Sequence, residues 1–214
     1  NTVDVFPDEP SQWSDVDEDG FGDQSDGLDG DDCPGVYGTS NQDRTGCLDS
    51  DGDGYSNPDS NWDTTLGADA FSTDITQHLD GDGDGYGDNM DGFQADSCSE
   101  IAGTSNQDRF GCLDSDGDGW SDEGDMLPLD PTQHSDDDGD GYGDSLLGNT
   151  PDSCPSVYGL SSEQRYGCLD SDSDGWDDEF DAFPDNIKFW SDTDGDSHPD
   201  QQDTELSDDC PDEA

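Results

Sequence analysis

The sequence predicts an irregular repeat fold with little helix or strand, cross-linked by disulfides. Three observations lead to this prediction: the composition is too acidic and too poor in apolar residues for a conventional core, the cysteines recur at fixed spacing, and short acidic loops recur with glycine at one constant place. The segments between these loops are rich in Gly, Pro and Ser, and they show no apolar residues at helical spacing.

The composition limits both the fold and the partners. The 214 residues include 60 Asp and Glu against 4 Lys and Arg, giving a formal charge of −56, and 25% are hydrophobic. Such chains usually bury too little apolar surface to offset the entropy of ordering. The sign of the charge excludes nucleic acid and anionic membrane surfaces, and no apolar run approaches the roughly 20 residues of a spanning helix. A cation is the partner that remains.

The spacing of the cysteines argues against disorder. The first cysteine of each set recurs at intervals of 65, 56 and 56 residues, and the second cysteine and an arginine keep the same register. The sequence therefore predicts repeat units over residues 1–68, 69–124 and 125–180, and a partial unit over 181–214. The first unit carries a nine-residue insertion near "NPDSNWDTTLGA". The positions in register are Cys33, Cys98, Cys154 and Cys210; Cys47, Cys112 and Cys168; and Arg44, Arg109 and Arg165.

Seven acidic loops of twelve residues repeat along the chain. A first family includes "DGDGDGYGDNMD" and a second includes "DSDGDGWSDEGD", with carboxylates at loop positions 1, 3, 5, 9 and usually 12, Gly at 6 and an aromatic residue at 7. Calcium takes six to eight oxygens at about 2.3–2.6 Å, so alternating side chains and one backbone carbonyl must converge. Gly at position 6 supplies the positive φ of the turn. First-family loops start at Asp15, Asp80, Asp136 and Asp192, and second-family loops at Asp49, Asp114 and Asp170.

This spacing predicts seven or more Ca²⁺ ions, each bound by side chains at positions 1, 3, 5, 9 and 12 and by the position-7 carbonyl. The predicted first-family ligands are Asp15, Asp17, Asp19, Phe21, Asp23 and Asp26; Asp80, Asp82, Asp84, Tyr86, Asp88 and Asp91; Asp136, Asp138, Asp140, Tyr142, Asp144 and Asp152; and Asp192, Asp194, Asp196, His198, Asp200 and Asp203. The predicted second-family ligands are Asp49, Asp51, Asp53, Tyr55 and Asn57; Asp114, Asp116, Asp118, Trp120, Asp122 and Asp125; and Asp170, Asp172, Asp174, Trp176, Asp178 and Asp181.

Three loops depart from the pattern, and we expect them to bind more weakly. Leu147 stands at position 12 of its loop, so Asp152 would have to substitute. Ser197 replaces the glycine at position 6, and Asn57 and Ser60 replace aspartates beside the insertion.

Other metal sites fit less well. Magnesium demands octahedral geometry and retains its waters, and zinc prefers Cys and His over clustered carboxylates. An EF-hand needs amphipathic helices on both sides of its loop, and a glycine-rich β-roll needs a G-G-x-G-x-D period that is absent here.

The D-x-D-x-D-G-x-x-D-x-x-D core, followed by "DDCP" or "DSCP" and then by "GTSNQDRTGCLDSDGDGYS", resembles thrombospondin type 3 repeats, in the variant found in secreted and surface proteins of aquatic bacteria and archaea. The resemblance covers essentially the whole chain. It implies acidic loops wrapped around a string of calcium ions in a rod, with the metals as its core. Some loops of the family hold two ions, which would suit the further carboxylates at Asp31, Asp96, Asp152 and Asp208.

The cysteines favour local bridges. Cys33–Cys47, Cys98–Cys112 and Cys154–Cys168 share a separation of 14 residues, and this identity favours local pairing among the fifteen possible pairings of six cysteines. Disulfides indicate an oxidising, extracellular compartment.

The aromatic residues at position 7 are either stacking platforms for a sugar or covers over the backbone between loops, and we favour the second interpretation. His78 and His134 occupy the place of Trp13 and Trp190 in other units, which indicates packing. The three repeated arginines are expected to pair with loop carboxylates. No arrangement of catalytic side chains stands out, so we expect no enzyme.

These features predict an extracellular calcium-binding structural protein that acts as a rigid stalk or as a fibre building block. The alternatives are a calcium-dependent adhesion module that binds glycan, mineral, a cell surface or another extracellular protein, and the spacer of a secreted hydrolase. By register, Asp4 holds position 12 of an earlier loop and Cys210 lacks a partner, so both ends cut through a unit. Further copies of the repeat, end to end, are therefore expected partners.

Overall fold

The predicted irregular fold is confirmed. A computed structural model describes residues 4–201, and the regular helix within them is one 3₁₀ helix, Thr64–Leu66. Backbone hydrogen bonds of the described residues lie in turns and loops. Three isolated parallel bridges complete the pairing: Gly22–Gly30, Asp96–Phe110 and Asp152–Tyr166.

The chain divides into two compact bodies, residues 1–113 and 114–214. The division falls inside the second predicted repeat unit, residues 69–124, at the start of an acidic loop. The same local arrangement of loop and turn recurs within each body. The rod shape implied by the resemblance stays a prediction.

The interior is polar, as the composition predicts. Glutamine, serine and aspartate side chains are buried together with a few apolar ones. The buried apolar residues of the described chain are Cys47, Ala68, Cys112, Cys168 and Phe189. Since these residues are few and dispersed, hydrogen bonds and cross-links must organise most of the interior.

Buried glutamines form the centre of the turns that accompany the first-family loops. The Nε2 group of Gln77 donates to the carbonyls of Asn89 (3.1 Å) and Phe93 (3.4 Å), and its Oε1 accepts from the Asn89 N–H (2.9 Å). The amide is fully buried, so these bonds satisfy groups that would otherwise be costly to bury. Gln12 and Gln133 repeat the arrangement.

Three local disulfides confirm the predicted pairing: Cys33–Cys47, Cys98–Cys112 and Cys154–Cys168. The second cysteine of each pair is buried. Its N–H donates to the hydroxyl of a buried serine, as Cys112 does to Ser105 at 2.9 Å. Each bridge therefore anchors a hydrogen-bonded turn.

The position-7 rings pack on other rings. In the second-family loops they stack in parallel on an aromatic ring about ten residues into the next unit: Tyr55 on His78, Trp120 on His134 and Trp176 on Trp190. His78 and His134 are therefore packing residues, as their exchange with Trp indicates. In the first family, Tyr86 and Tyr142 tilt against Phe110 and Tyr166, at 5.6 and 5.5 Å between centroids. These contacts support the covering interpretation over the sugar platform.

Candidate metal centres

The carboxylates of each loop build its backbone turn. Asp80 accepts hydrogen bonds from the N–H groups of Gly83 (2.7 Å) and Gly85 (3.0 Å), and Asp84 accepts from Tyr86 (2.9 Å). The bonds to position 1 recur in all seven loops, and so does the bond to position 5. The alternating acids are thus fixed in orientation by their own loop.

Two residues of every loop have left-handed backbone. Position 6 has positive φ throughout, as predicted, including Ser197 at 72°. Position 4 is left-handed as well, which the sequence analysis missed; it is usually glycine, but Glu18 (φ 64°) and Ser173 (φ 66°) also occupy it. A non-glycine residue costs about 1 kcal/mol in this conformation. The recurrent glycine at position 4 was the available signal.

These turns bring the carboxylates of positions 1, 3 and 5 together. Seven groups of three acidic side chains in the described residues offer oxygens within 4.8 Å of one another. Like charges at this distance repel by about 1 kcal/mol in water and about 4 kcal/mol at an effective dielectric of 20. Five of these groups are Asp15, Asp17 and Asp19; Asp49, Asp51 and Asp53; Asp80, Asp82 and Asp84; Asp114, Asp116 and Asp118; and Asp136, Asp138 and Asp140.

The central carboxylate has an unsatisfied oxygen in six of these groups. The Oδ2 atom at position 3 is buried and accepts no hydrogen bond in six loops, as in Asp82 and Asp116. Buried polar atoms are normally paired. These Oδ2 atoms therefore fit the role of ligands to a bound cation. The six are Asp17, Asp51, Asp82, Asp116, Asp138 and Asp172.

In the described residues, a further buried aspartate closes three first-family loops at the sixteenth residue after the loop start. Asp31, Asp96 and Asp152 are each 1% exposed, and the Oδ2 atom of each lacks a hydrogen-bond partner. Burial raises the pKa of Asp31 to about 6, and the charges of Asp19 and Asp17 add to the increase.

In this family, the aspartate that lies against the loop is not the predicted position-12 residue. Asp26 and Asp91 are exposed, whereas Asp31 and Asp96, five residues later, are buried against the loop. Asp152 does occupy the place predicted for it, and Leu147 is 98% exposed. Sequence analysis noted Asp31 and Asp96 only as ligands of a second ion. Their constant distance from the cysteines was the signal that marked them.

In the second family the closing aspartate lies at position 12, as predicted. Asp125 and Asp181 are buried, and burial raises the pKa of each, with the neighbouring loop charges adding to the increase. Both accept a hydrogen bond from the N–H two residues later (2.6 and 2.7 Å). Asp31, Asp96 and Asp152 accept the same bond, so the two families close with one local motif.

The loop that starts at Asp49 has a closing residue despite the insertion. Asp69 is 1% exposed, accepts from the Phe71 N–H at 2.7 Å, and has an unpartnered Oδ2. Burial raises its pKa to about 6, and the charges of Asp53, Asp51 and Asp49 add to the increase. The insertion thus lies between positions 9 and 12, and Ser60 is exposed. Asp69 was missed as a ligand although it stands in register with Asp125.

The position-7 carbonyls of the first family are not engaged by the backbone in three loops. Within residues 4–201, the carbonyls of Phe21, Tyr86 and Tyr142 accept no backbone hydrogen bond. Their oxygens therefore remain available as ligands. Asp203, Asp208 and Cys210, named in the sequence analysis, lie outside the described residues.

The arginines pair with acidic residues between the predicted ligands. Arg44 contacts Asp59 at 2.7 Å, and Arg165 contacts Glu179 at 2.7 Å and Asp177 at 3.1 Å. The expected pairing with loop carboxylates is confirmed for Arg44 and Arg165, and the acids that these two arginines contact are not at positions 1, 3 or 5.

The donor set fits a hard divalent cation. Each described centre combines several carboxylate oxygens in an irregular loop, and such a set suits calcium better than magnesium, which demands octahedral geometry. His198 is the one imidazole at a loop position, and it contacts Asp196 at 3.1 Å. The arrangement can hold a cation.

No helix among the described residues has the length and apolarity to cross a bilayer. Compared with known proteins, the chain matches no family model and no curated protein.

Proposed function

We propose that the chain is an extracellular structural protein whose loops fold around calcium, akin to thrombospondin type 3 repeats, and that it serves as a stiff stalk or filament element rather than as an enzyme. The observation that carries this proposal is the row of buried, unpartnered carboxylate oxygens, one at position 3 of six loops and one at the closing aspartate of four. Each such atom is destabilising without a cation and stabilising with one.

The charge of the whole chain supports the same function. Seven divalent ions would neutralise a quarter of the −56 formal charge. Because the described interior contains few apolar side chains, cation binding has to supply free energy that an apolar core supplies in other domains. The three disulfides favour an oxidising compartment, where calcium is at millimolar concentration and extracellular modules bind it.

Equilibrium dialysis against calcium, with circular dichroism and small-angle scattering on the same samples, tests the proposal. We expect at least one ion for each of the seven loops at millimolar calcium, an ordered chain in that state, and an expanded chain in chelator. A chain that binds no calcium, or that is equally compact in chelator, would contradict the proposed function.

A further inference from the structure

The position-9 carboxylates fall into two groups according to the side chain at position 2. In the loop that starts at Asp114, the N–H and the hydroxyl of Ser115 both donate to Asp122, each at 2.7 Å. Ser171 donates in the same way to Asp178, at 2.7 and 2.6 Å. Both oxygens of the carboxylate are then occupied within the loop.

A position-2 residue without a hydroxyl binds only one of the two oxygens. The N–H groups of Val16, Gly81 and Asp137 donate to the position-9 aspartates at 3.0, 3.3 and 3.1 Å. The second oxygen of each carboxylate receives no hydrogen bond from position 2. In Asp144 this atom, Oδ1, is buried and has no hydrogen-bond partner.

We call this double contact between positions 2 and 9 a clip. The loop that starts at Asp49 shows that the position-9 side chain can make a clip without carrying a charge. Its residue is Asn57, whose Oδ1 accepts from the Ser50 N–H (3.1 Å) and whose Nδ2 donates to the Ser50 hydroxyl (2.6 Å). The amide thus replaces the carboxylate in the same two contacts. Asparagine stands in a loop whose position 2 carries a hydroxyl, where the side chain acts as a clip. This explains a departure that the sequence analysis assigned to a weaker site.

We propose that the side chain at position 2 determines how many carboxylates face the cation: five where it lacks a hydroxyl, and four where a Ser or Thr hydroxyl clips position 9 away. The five-carboxylate sites are the loops that start at Asp15, Asp80 and Asp136. The clipped sites start at Asp49, Asp114 and Asp170. Thr193, which donates to Asp200 through its N–H and its hydroxyl at 3.2 and 2.7 Å, gives a first-family loop the same clip.

This inference rests on the proposed calcium binding and deepens it. Because calcium affinity follows the number of ligand charges, the five-carboxylate sites bind calcium more tightly than the clipped sites. The chain then fills in two steps as calcium rises. Asp96, which closes the loop at Asp80, is 1% exposed and has one oxygen without a hydrogen-bond partner. This loop is therefore an enclosed site and not merely a cluster of acids on the surface.

Paired asparagine variants of the full chain test the inference, with native mass spectrometry counting bound calcium ions at each free calcium level of a titration. Asp88→Asn should weaken its site about tenfold and lose one ion from the tighter step. Asp122→Asn should retain the wild-type count, because Asn57 already makes the same clip. Equal loss in both variants, loss in neither, or loss in Asp122→Asn alone would overturn the inference.

A second pair of variants changes position 2 itself. Val16 is 71% exposed, so substitutions there leave the interior intact. Val16→Thr adds a hydroxyl in nearly the same shape and should weaken calcium binding at its loop, whereas Val16→Ala, which adds none, should not. Equal counts in the two variants would contradict the role of the hydroxyl. A wild-type chain that binds no calcium would instead contradict the proposed function, so the two failures are distinguishable.

Discussion

The N–H of Cys98 donates a 2.7 Å hydrogen bond to Oδ1 of Asp96, the buried aspartate that closes the preceding acidic loop. Gly103, inside the disulfide-closed segment 98–112, donates to Asp84 of the same loop at 2.9 Å. The covalent cross-link and the candidate metal centre therefore share one stretch of backbone. A cation bound at this centre would therefore act on the same turn as the bridge.

Replacing the closing aspartate should have opposite effects with and without calcium. Asp96→Asn removes a buried charge that has no cationic partner among the described side chains, so in chelator we expect the equilibrium to shift toward the ordered state by about 1–3 kcal/mol. In millimolar calcium the same variant loses a ligand, and its stability should fall. Urea unfolding in calcium measures the loss, and the ordered fraction of the chelated chain, followed by circular dichroism, measures the gain.

Asp91→Asn is the matched control, since Asp91 is the exposed residue that simple loop numbering places at position 12. It should change neither stability by more than about 0.5 kcal/mol. A loss of calcium-dependent stability in Asp91→Asn equal to that of Asp96→Asn would contradict the assignment of the closing residue.

The insertion makes a separate prediction. Asp69→Asn should lower the calcium-dependent stability of the body formed by residues 1–113, because Asp69 closes the loop that starts at Asp49. Ser60→Ala, at the exposed position reached by counting through the insertion, should not. Calcium titration of the two variants, followed by circular dichroism, makes the comparison. Normal binding by Asp69→Asn would show that the loop closes without this carboxylate.

The sequence was sufficient to predict features that follow from spacing. The alternating aspartates, the left-handed position 6 and the local disulfides all follow from residues that are close in the chain. Asp69 was missed because counting residues within the loop fails across the insertion. The register between repeat units still holds beyond it. Asp31 and Asp96 were assigned to a second ion because position 12 already held an aspartate in each loop, and only burial separates the exposed acid from the buried one.

The buried glutamines were not predicted, for a different physical reason. Composition shows that the chain is too polar to form an apolar core, but it does not show which polar side chains fill the interior instead. Gln77 is buried because its amide matches two carbonyls and one N–H of a turn twelve to sixteen residues later. That match depends on turn geometry, although the Gln before His or Trp in three units was visible.

Gln77→Ala should therefore destabilise the chain markedly. The substitution leaves a buried N–H and two carbonyls without partners and opens a cavity, which costs about 1–3 kcal/mol for the unpaired groups. Gln107, an exposed glutamine in the same body, provides the control in Gln107→Ala. Thermal unfolding in calcium compares them, and equal melting temperatures would contradict the structural role of Gln77.

Acid should stabilise the calcium-free chain. Asp31 and Asp69 have folded pKa values of about 6, raised by burial from the usual 3.8. A raised carboxyl pKa means that the folded state binds the proton more tightly, so this contribution is complete below pH 3.8 and is lost as the pH rises through 6. In chelator, the ordered fraction of the chain, followed by circular dichroism, should therefore fall between pH 4 and pH 7.

With calcium the direction reverses, because protons and calcium compete for the same oxygens, and the apparent affinity should fall as the pH drops below about 6. The double variant Asp31→Asn, Asp69→Asn should show a shallower pH dependence in chelator. Stability that rises between pH 4 and pH 7 in chelator would contradict the account.

Hydrogen–deuterium exchange of the loop amides, in millimolar calcium and in chelator, tests the central claim most directly. The N–H groups at positions 4, 6 and 7 donate to loop carboxylates in every described loop, so their protection reports whether the turn is formed. If cations organise the fold, these amides are protected in calcium and exchange at the rate of an unfolded chain in chelator. Equal protection of the loop amides in the two conditions would show that the chain folds without the metal.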